Sequence, residues 1–351
     1  MKNMITSTIQ VQMADPEKTL GVLENFKKAQ DIPCEHIDIS AMNDKELYEL
    51  RIQYPLYVFD ESVTQFMAIL FGEMPFMRAF DKFIFKNIEV PEEVYGWFQG
   101  PRFGANGIKN RFDLNEFPLI MGIIKPSLDV TRDIASQRCK LKGVFETGLH
   151  AVKDDEIQGN LPNMPLEARL ALAAERKGYV PTVNIDNIGY LGRILSDERL
   201  SMVIINATIL GFPIVNQLCR ITKVPLLSHL SLQGTYNGTF HPALYAFLHR
   251  LFGCDAFITA IGDSGYYAAS KEMETDMVTS LTCDLPIRKT LPMLAGGAKP
   301  SNVGKIMEVY EKQNIPYGIV FGSYIYGSDE TPQSRAADVV NAIEAAKLSM
   351  H

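Results

Sequence analysis

The chain has 351 residues, 46% of them hydrophobic and 21% charged, with a formal net charge of −7. That length suits two domains or one large barrel with an appendage, and the acidic balance argues against a nucleic-acid backbone as a partner. Cysteines without CxxC spacing argue against a zinc site and for reduced, mostly buried thiols in a cytoplasmic protein, while the N-terminus lacks the apolar core of a signal peptide and no run approaches the ~18 apolar residues of a membrane span.

Residues 4–11 alternate and are rich in Ile and Thr, which predicts a strand. Asp15-Pro16 opens a helix expected to run to about Gln30, with Pro in its first turn. A strand over 34–39, a helix over 43–51 and a strand over 56–60 follow. A helix is expected over 61–72, with Phe66, Met67, Leu70 and Phe71 on its apolar stripe, and then a strand over 83–90. Strands so few and short cannot build a large parallel sheet, so residues 1–115 are expected to form a small α+β domain. The run Trp97-Phe98-Gln99-Gly100-Pro101-Arg102-Phe103-Gly104 is a turn-rich connector whose aromatics are expected to pack.

From Pro118 onward short apolar strands begin near Leu119, Leu149, Val180, Met202, Pro225, Ala256, Pro292 and Gly318. Helix-like segments such as 166–176, 301–312 and 334–348 lie between them. Repeated strand–helix units over residues 116–351 predict a (β/α)8 barrel, at a length near the usual ~250 residues. The rival, an open doubly wound sheet, would place a glycine-rich turn after its first strand, where this chain has Lys-Pro-Ser.

Barrel chemistry gathers at the C-terminal ends of the strands. Those ends carry, in order, Lys125, then Lys153 with Asp155 and Glu156, then Asn184 and Asp186, Asn206, and Ser228 with His229. The sixth runs into Thr259 and Gly262-Asp263-Ser264-Gly265, the seventh ends in Ala295-Gly296-Gly297 and the eighth in Phe321-Gly322-Ser323. Strand alternation puts Lys153 and Asp155 on one face, and the following turn can bring Glu156 round to them. Two carboxylates that close repel by about 4 kcal/mol at an effective dielectric of ~20. A hard divalent cation such as Mg²⁺ would hold them together; a solvated turn after a strand has the same composition. The glycines of the last two ends let backbone N–H groups approach an anion, as in a barrel phosphate site.

Taken together, these segments resemble the RuBisCO superfamily. Phe98-Gln99-Gly100-Pro101 is similar to its connector into the barrel, Ile124-Lys125-Pro126 to its Ile-Lys-Pro motif, and Lys153-Asp154-Asp155-Glu156 to its Lys-Asp-Asp-Glu motif. His229 stands where the fifth strand's histidine belongs, and Ala295-Gly296-Gly297 and Phe321-Gly322-Ser323 resemble its two phosphate turns. The resemblance covers residues 95–351 and is faint before them. It implies that Lys153 takes up CO₂ as a carbamate and binds Mg²⁺ together with Asp155 and Glu156. It also implies that Lys125 is an acid or base with a lowered pKa, that His229 is catalytic and that Asp154 faces away and fixes the loop. Asn184, Asp186, Ala295, Gly296, Gly297, Gly322 and Ser323 would bind a phosphorylated substrate, and the family's dimeric construction implies a homodimer or a higher homo-oligomer.

The chain also departs from a carboxylase. The family's loop lysine after strand six is missing from Gly262–Ser270, and Lys271 comes late. Ser127 replaces a second lysine, Leu230 an arginine that grips a second phosphate, Thr259 a histidine, and Ile69 an asparagine given by a partner subunit. One phosphate pocket thereby loses charge-assisted binding, and a carboxylated intermediate loses its counter-cation. The expectation is therefore a RuBisCO-like protein without efficient CO₂ fixation, which enolises, isomerises or decarboxylates a phosphorylated ketose or keto acid. The alternatives are a carboxylase with a rebuilt loop and a non-catalytic metabolite-binding barrel.

Overall fold

A computed structural model describes residues 4–29, 33–42, 46–78, 80–125, 133–236, 238–326 and 330–350. Pro126 and Ser127 lie outside the described residues.

The first part is an antiparallel sheet of β1 (Met4–Gln12), β2 (His36–Ala41), β3 (Leu47–Pro55) and β4 (Lys82–Glu89), in the order β2-β3-β1-β4. Of the helix expected over 43–51, residues 43–45 lie outside the described residues, and the rest is not helical: β3 begins at Leu47 and continues to Pro55. Its residues Leu50, Ile52 and Tyr54 are fully buried on one face against β1, a period of two that outweighs the helical composition of the segment before it. The strand expected over 56–60 is instead a 3-10 turn, Leu56–Phe59, closed by Asp60 in the left-handed region. The helix Val63–Phe71 forms as expected, with the Ser62 hydroxyl accepting from the Gln65 N–H.

The second part is a parallel ring of β5 (Leu119–Ile123), β6 (Ala151–Lys153), β7 (Tyr179–Val180), β8 (Val203–Ile205), β9 (Leu226–Ser228), β10 (Ala256–Ala260), β11 (Leu291–Ala295) and β12 (Gly318–Phe321). Pairing runs from β7 through β6, β5, β12, β11, β10 and β9 to β8. A parallel bridge between Thr182 and Ile204 joins β7 to β8 and closes the barrel. The architecture is α/β, a (β/α)8 barrel with a separate small antiparallel sheet.

Among the described residues the parts meet at β4 and along the connector. β4 lies against the segment after β9: the Phe85 N–H donates to Thr239 O at 2.7 Å and the His241 N–H to Phe85 O at 2.8 Å. Phe240 packs on Phe71 and Phe85 there, with ring centroids 5.2 and 5.1 Å apart. The connector runs beneath the barrel, Phe98 wedged between Phe66 and Phe252. Asp255, fully buried, holds it there, accepting from the Phe103 and Gly104 N–H groups at 2.6 and 2.8 Å and from the Leu226 N–H at 3.0 Å.

His249 is packed just as tightly, with ring centroids 4.2 Å from Phe257 and 4.6 Å from Tyr245, and its Nδ1–H donates to Tyr245 O at 2.8 Å. Burial pushes its pKa down to about 4 from 6.5. Between those values the unfolded chain binds the proton and the folded chain does not. The stability is therefore complete above pH ~6.5 and is lost as the pH falls toward ~4. Asp255, which burial pushes up to about 6 from 3.8, acts in the opposite sense, losing stability as the pH rises through that window. Comparison with His249→Gln cancels the Asp255 contribution. Urea unfolding is expected to show wild type losing about 3 kcal/mol more than the variant between pH 7 and 4; parallel pH curves would contradict this.

Candidate active site

Strand β6 delivers Lys153 fully buried into the barrel mouth. Its Nζ donates to Asp154 O at 2.9 Å and stands 3.6 Å from Glu156 Oε2. Burial lowers its pKa, outweighing the attraction of Glu156, Asp155 and Asp154. Lys125, at the end of β5, pairs with Asp155 at 3.1 Å. His229, at the end of β9, places Nε2 3.3 Å from Glu156 Oε2. Burial, reinforced by the Lys153 charge, pushes the His229 pKa down to about 3, so the ring is neutral at physiological pH.

For Lys125 the direction differs from the sequence expectation. Burial acts to lower its pKa, but the hydrogen bond and charge of Asp155 outweigh burial and hold the ammonium above its ordinary value. Asp155, in turn, is lowered: burial would raise it, and the Lys125 hydrogen bond and charge prevail.

Asp154 points the other way, into a buried network. Its Oδ2 accepts from Arg169 Nη1 at 2.5 Å and from the Thr182 N–H at 3.1 Å, and its Oδ1 accepts from the Tyr179 hydroxyl at 2.7 Å. Arg169 also donates to Thr182 O at 2.9 Å and to Gly159 O at 3.1 Å. Consecutive residues thus serve opposite faces of one strand end. Asp154 clamps the backbone, leaving Lys153, Asp155 and Glu156 to meet. A chain of side chains grips the loop from the other side: Ser231 Oγ donates to Asn206 Oδ1, Asn206 Nδ2 to Asn184 Oδ1, and Asn184 Nδ2 to Glu156 O at 2.8 Å.

Lys125, Lys153, Glu156 and His229 line one small cavity. Ala295, Gly296 and Gly297 of the β11 turn, and Gly322 with Ser323 after β12, line its other side. Asn184 and Asp186 do not line it: the chain turns outward after β7, Asn184 holds the Glu156 backbone and Asp186 is exposed. Ile258 of β10, rather than Thr259, faces the cavity. Lys271 is held away from it, paired with buried Glu274 at 2.6 Å.

Arg169 and the tyrosines at positions 266 and 267, which also line the cavity, escape the sequence reading. Arg169 had a visible signal, a charge at a position of the buried helical stripe formed with Leu166, Leu172 and Ala173. Burial first, then the charges of Glu156 and the neighbouring Tyr266, pushes the Tyr267 pKa up to about 12.

Among the described residues no three His, Cys, Asp or Glu side chains come together as a metal-binding group. Toward a hard divalent cation Asp155 and Glu156 would supply two oxygen donors and a third would have to come from elsewhere. A buried lysine whose amine is pushed toward its neutral, nucleophilic form would fit that need, because addition of CO₂ to a free amine, with loss of a proton, gives an anionic oxygen pair.

No family model matches the chain. It is 25% identical over 315 residues to a ribulose bisphosphate carboxylase-like protein of Allochromatium vinosum, covering 84% of this chain and 68% of that one. It is 26% identical over 290 residues to a 2,3-diketo-5-methylthiopentyl-1-phosphate enolase of Geobacillus kaustophilus, covering 76% and 68%. The fold superposes on octameric ribulose-1,5-bisphosphate carboxylase/oxygenase of Pyrococcus horikoshii with a TM-score of 0.86 at 18% identity, over 99% of this chain and 89% of that one. In its barrel fold and in the order of its strand-end residues the chain is similar to the RuBisCO-like proteins and their enolase relatives.

Proposed function

We propose that the chain is an enolase-type enzyme that removes a proton next to the carbonyl of a phosphorylated ketose or keto acid, with Mg²⁺ and a Lys153 carbamate, and without efficient CO₂ fixation. The observation that carries this reading is the convergence of Lys125, buried Lys153, Asp155 and Glu156 at one barrel mouth while Lys271 is tied to Glu274. Lys153 as carbamate, Asp155 and Glu156 would hold the ion. When bound, Mg²⁺ would polarise the substrate carbonyl and stabilise the negative charge left by proton removal.

The protein's own groups divide the remaining work. Lys125, whose proton sits on Nζ against Asp155, is placed to give a proton to the substrate or take one from it. Neutral His229 orients Glu156 through Nε2. The β11 and β12 turns present backbone to the phosphate. The enolase from Geobacillus kaustophilus supports a phosphorylated diketone as the substrate type. The octameric structure from Pyrococcus horikoshii and a dimeric archaeal Rubisco from Hyperthermus butylicus support a homodimer or a higher homo-oligomer. No described helix is long and apolar enough to cross a membrane, in keeping with a cytoplasmic enzyme. A carboxylase with a rebuilt loop is disfavoured, because Leu230 is apolar and the loop after β10 brings no lysine to the cavity.

The test is deuterium wash-in from solvent into candidate ketose phosphates. Exchange is expected to need both Mg²⁺ and bicarbonate. Exchange that ignores both would end this reading.

A further inference from the structure

The loop after β10 has a pinned neck. The Ile261 N–H donates to Ala295 O at 2.9 Å, the Gly262 N–H to Glu274 Oε2 at 2.7 Å and the Asp263 N–H to Ala269 O at 2.8 Å. Glu274 is itself buried and fixed by Lys271 and the Tyr310 hydroxyl. The tip beyond this neck folds down onto the β11 turn, with Tyr266 and Tyr267 packed edge to face at 4.9 Å.

Contact with that turn is close. A Cβ on Gly296 would lie 2.4 Å from Tyr267 Cδ2, and a Cβ on Gly297 would lie 3.0 Å from Ser264 Cβ. Both glycines have positive φ, +88° and +93°. Glycine is therefore required twice over, for its backbone conformation and for the approach of the tip. With the tip in place the cavity holds only about 50 Å³. A small-molecule site encloses roughly 300–1,000 Å³, so a phosphorylated sugar has no room.

We propose that Tyr267 is a plug: its ring covers the Gly296–Gly297 turn where an anionic group would sit, and a phosphorylated ligand binds by displacing it about the Glu274-anchored neck. The inference rests on the reading of that turn as an anion cradle. It adds a selection rule. An uncharged sugar gains little at the turn to offset the lost ring packing, whereas a phosphate gains backbone N–H groups that a ring cannot use.

The apparent affinity of a site covered most of the time falls by the fraction of time it is open. Inorganic phosphate titrated calorimetrically into the full chain is therefore expected to bind Tyr267→Ala about tenfold tighter than wild type, as for a site open one-tenth of the time. Tyr267→Phe, which keeps the ring, is expected to match wild type. In the unaltered protein, saturating phosphate is expected to speed amide hydrogen exchange in residues 264–268, a measurement independent of whether any variant folds. Equal phosphate affinity of wild type and Tyr267→Ala, a Phe variant that behaves like Ala, or exchange unmoved by phosphate would overturn the plug. Neither measurement uses a ketose or a metal, so the enolisation reading stands or falls separately on deuterium wash-in.

Discussion

Lys153→Ala is expected to lose deuterium exchange into ketose phosphates by about a thousandfold or more, the scale of removing a charge-stabilising element worth ~4 kcal/mol in the transition state. The side chain has no exposure, touches Asp154 O and lies 3.6 Å from Glu156 Oε2, so no neighbouring lysine can take its place. Lys125 is committed to Asp155 at 3.1 Å. A second measurement separates metal binding from chemistry. Mn²⁺ affinity, followed by electron paramagnetic resonance, is expected to rise with bicarbonate in wild type and to ignore it in Lys153→Ala. Because the alanine variant removes a buried amine and leaves the Arg169–Asp154 clamp in place, its urea midpoint is expected to move little. A variant that exchanges as fast as wild type would remove the basis for the carbamate.

Arg169→Ala is expected to cost about 3–5 kcal/mol of stability, the usual penalty for stripping one partner from a buried ion pair. Asp154 and Arg169 are each 1% exposed, and the alanine would leave a carboxylate with the Tyr179 hydroxyl and the Thr182 N–H as its remaining partners. Arg169→Lys is expected to fall between, since an ammonium lacks the planar fork that reaches Asp154, Thr182 O and Gly159 O together. The double change Arg169→Met with Asp154→Asn is expected to cost less than Arg169→Ala, because no unpaired charge is left behind. Urea unfolding measures all three. If Arg169→Ala matched wild type within ~1 kcal/mol, the clamp would not be what holds this strand end.

The division between what could be read from sequence and what could not follows particular residues. The barrel strands were legible because each is a short apolar run bounded by polar residues, and the expected starts fall close to β5 through β12. One of the two errors in the first part, a helix over 43–51, came where charged composition masked the alternation of Leu50, Ile52 and Tyr54. Such alternation has meaning only once β1 is there to bury it. Asn184 and Asp186 were expected at a strand end, but β7 stops at Val180; where a side chain goes after a two-residue strand depends on the turn, and here it carries them off the cavity.

From its linear order alone this chain determines a repeated strand–helix barrel and a Lys-Asp-Asp-Glu run in which Lys153 and Asp155 share one face and Asp154 takes the other, since both follow from local periodicity and composition. The tertiary structure decides what each face meets: Arg169 with Asp154, Lys125 with Asp155, and Tyr267 over Gly296. The reason is distance along the chain. Contacts between segments tens of residues apart exist only after the barrel has closed, and burial and ion pairing, which push the Lys153 pKa down and the Lys125 pKa up, exist only with them.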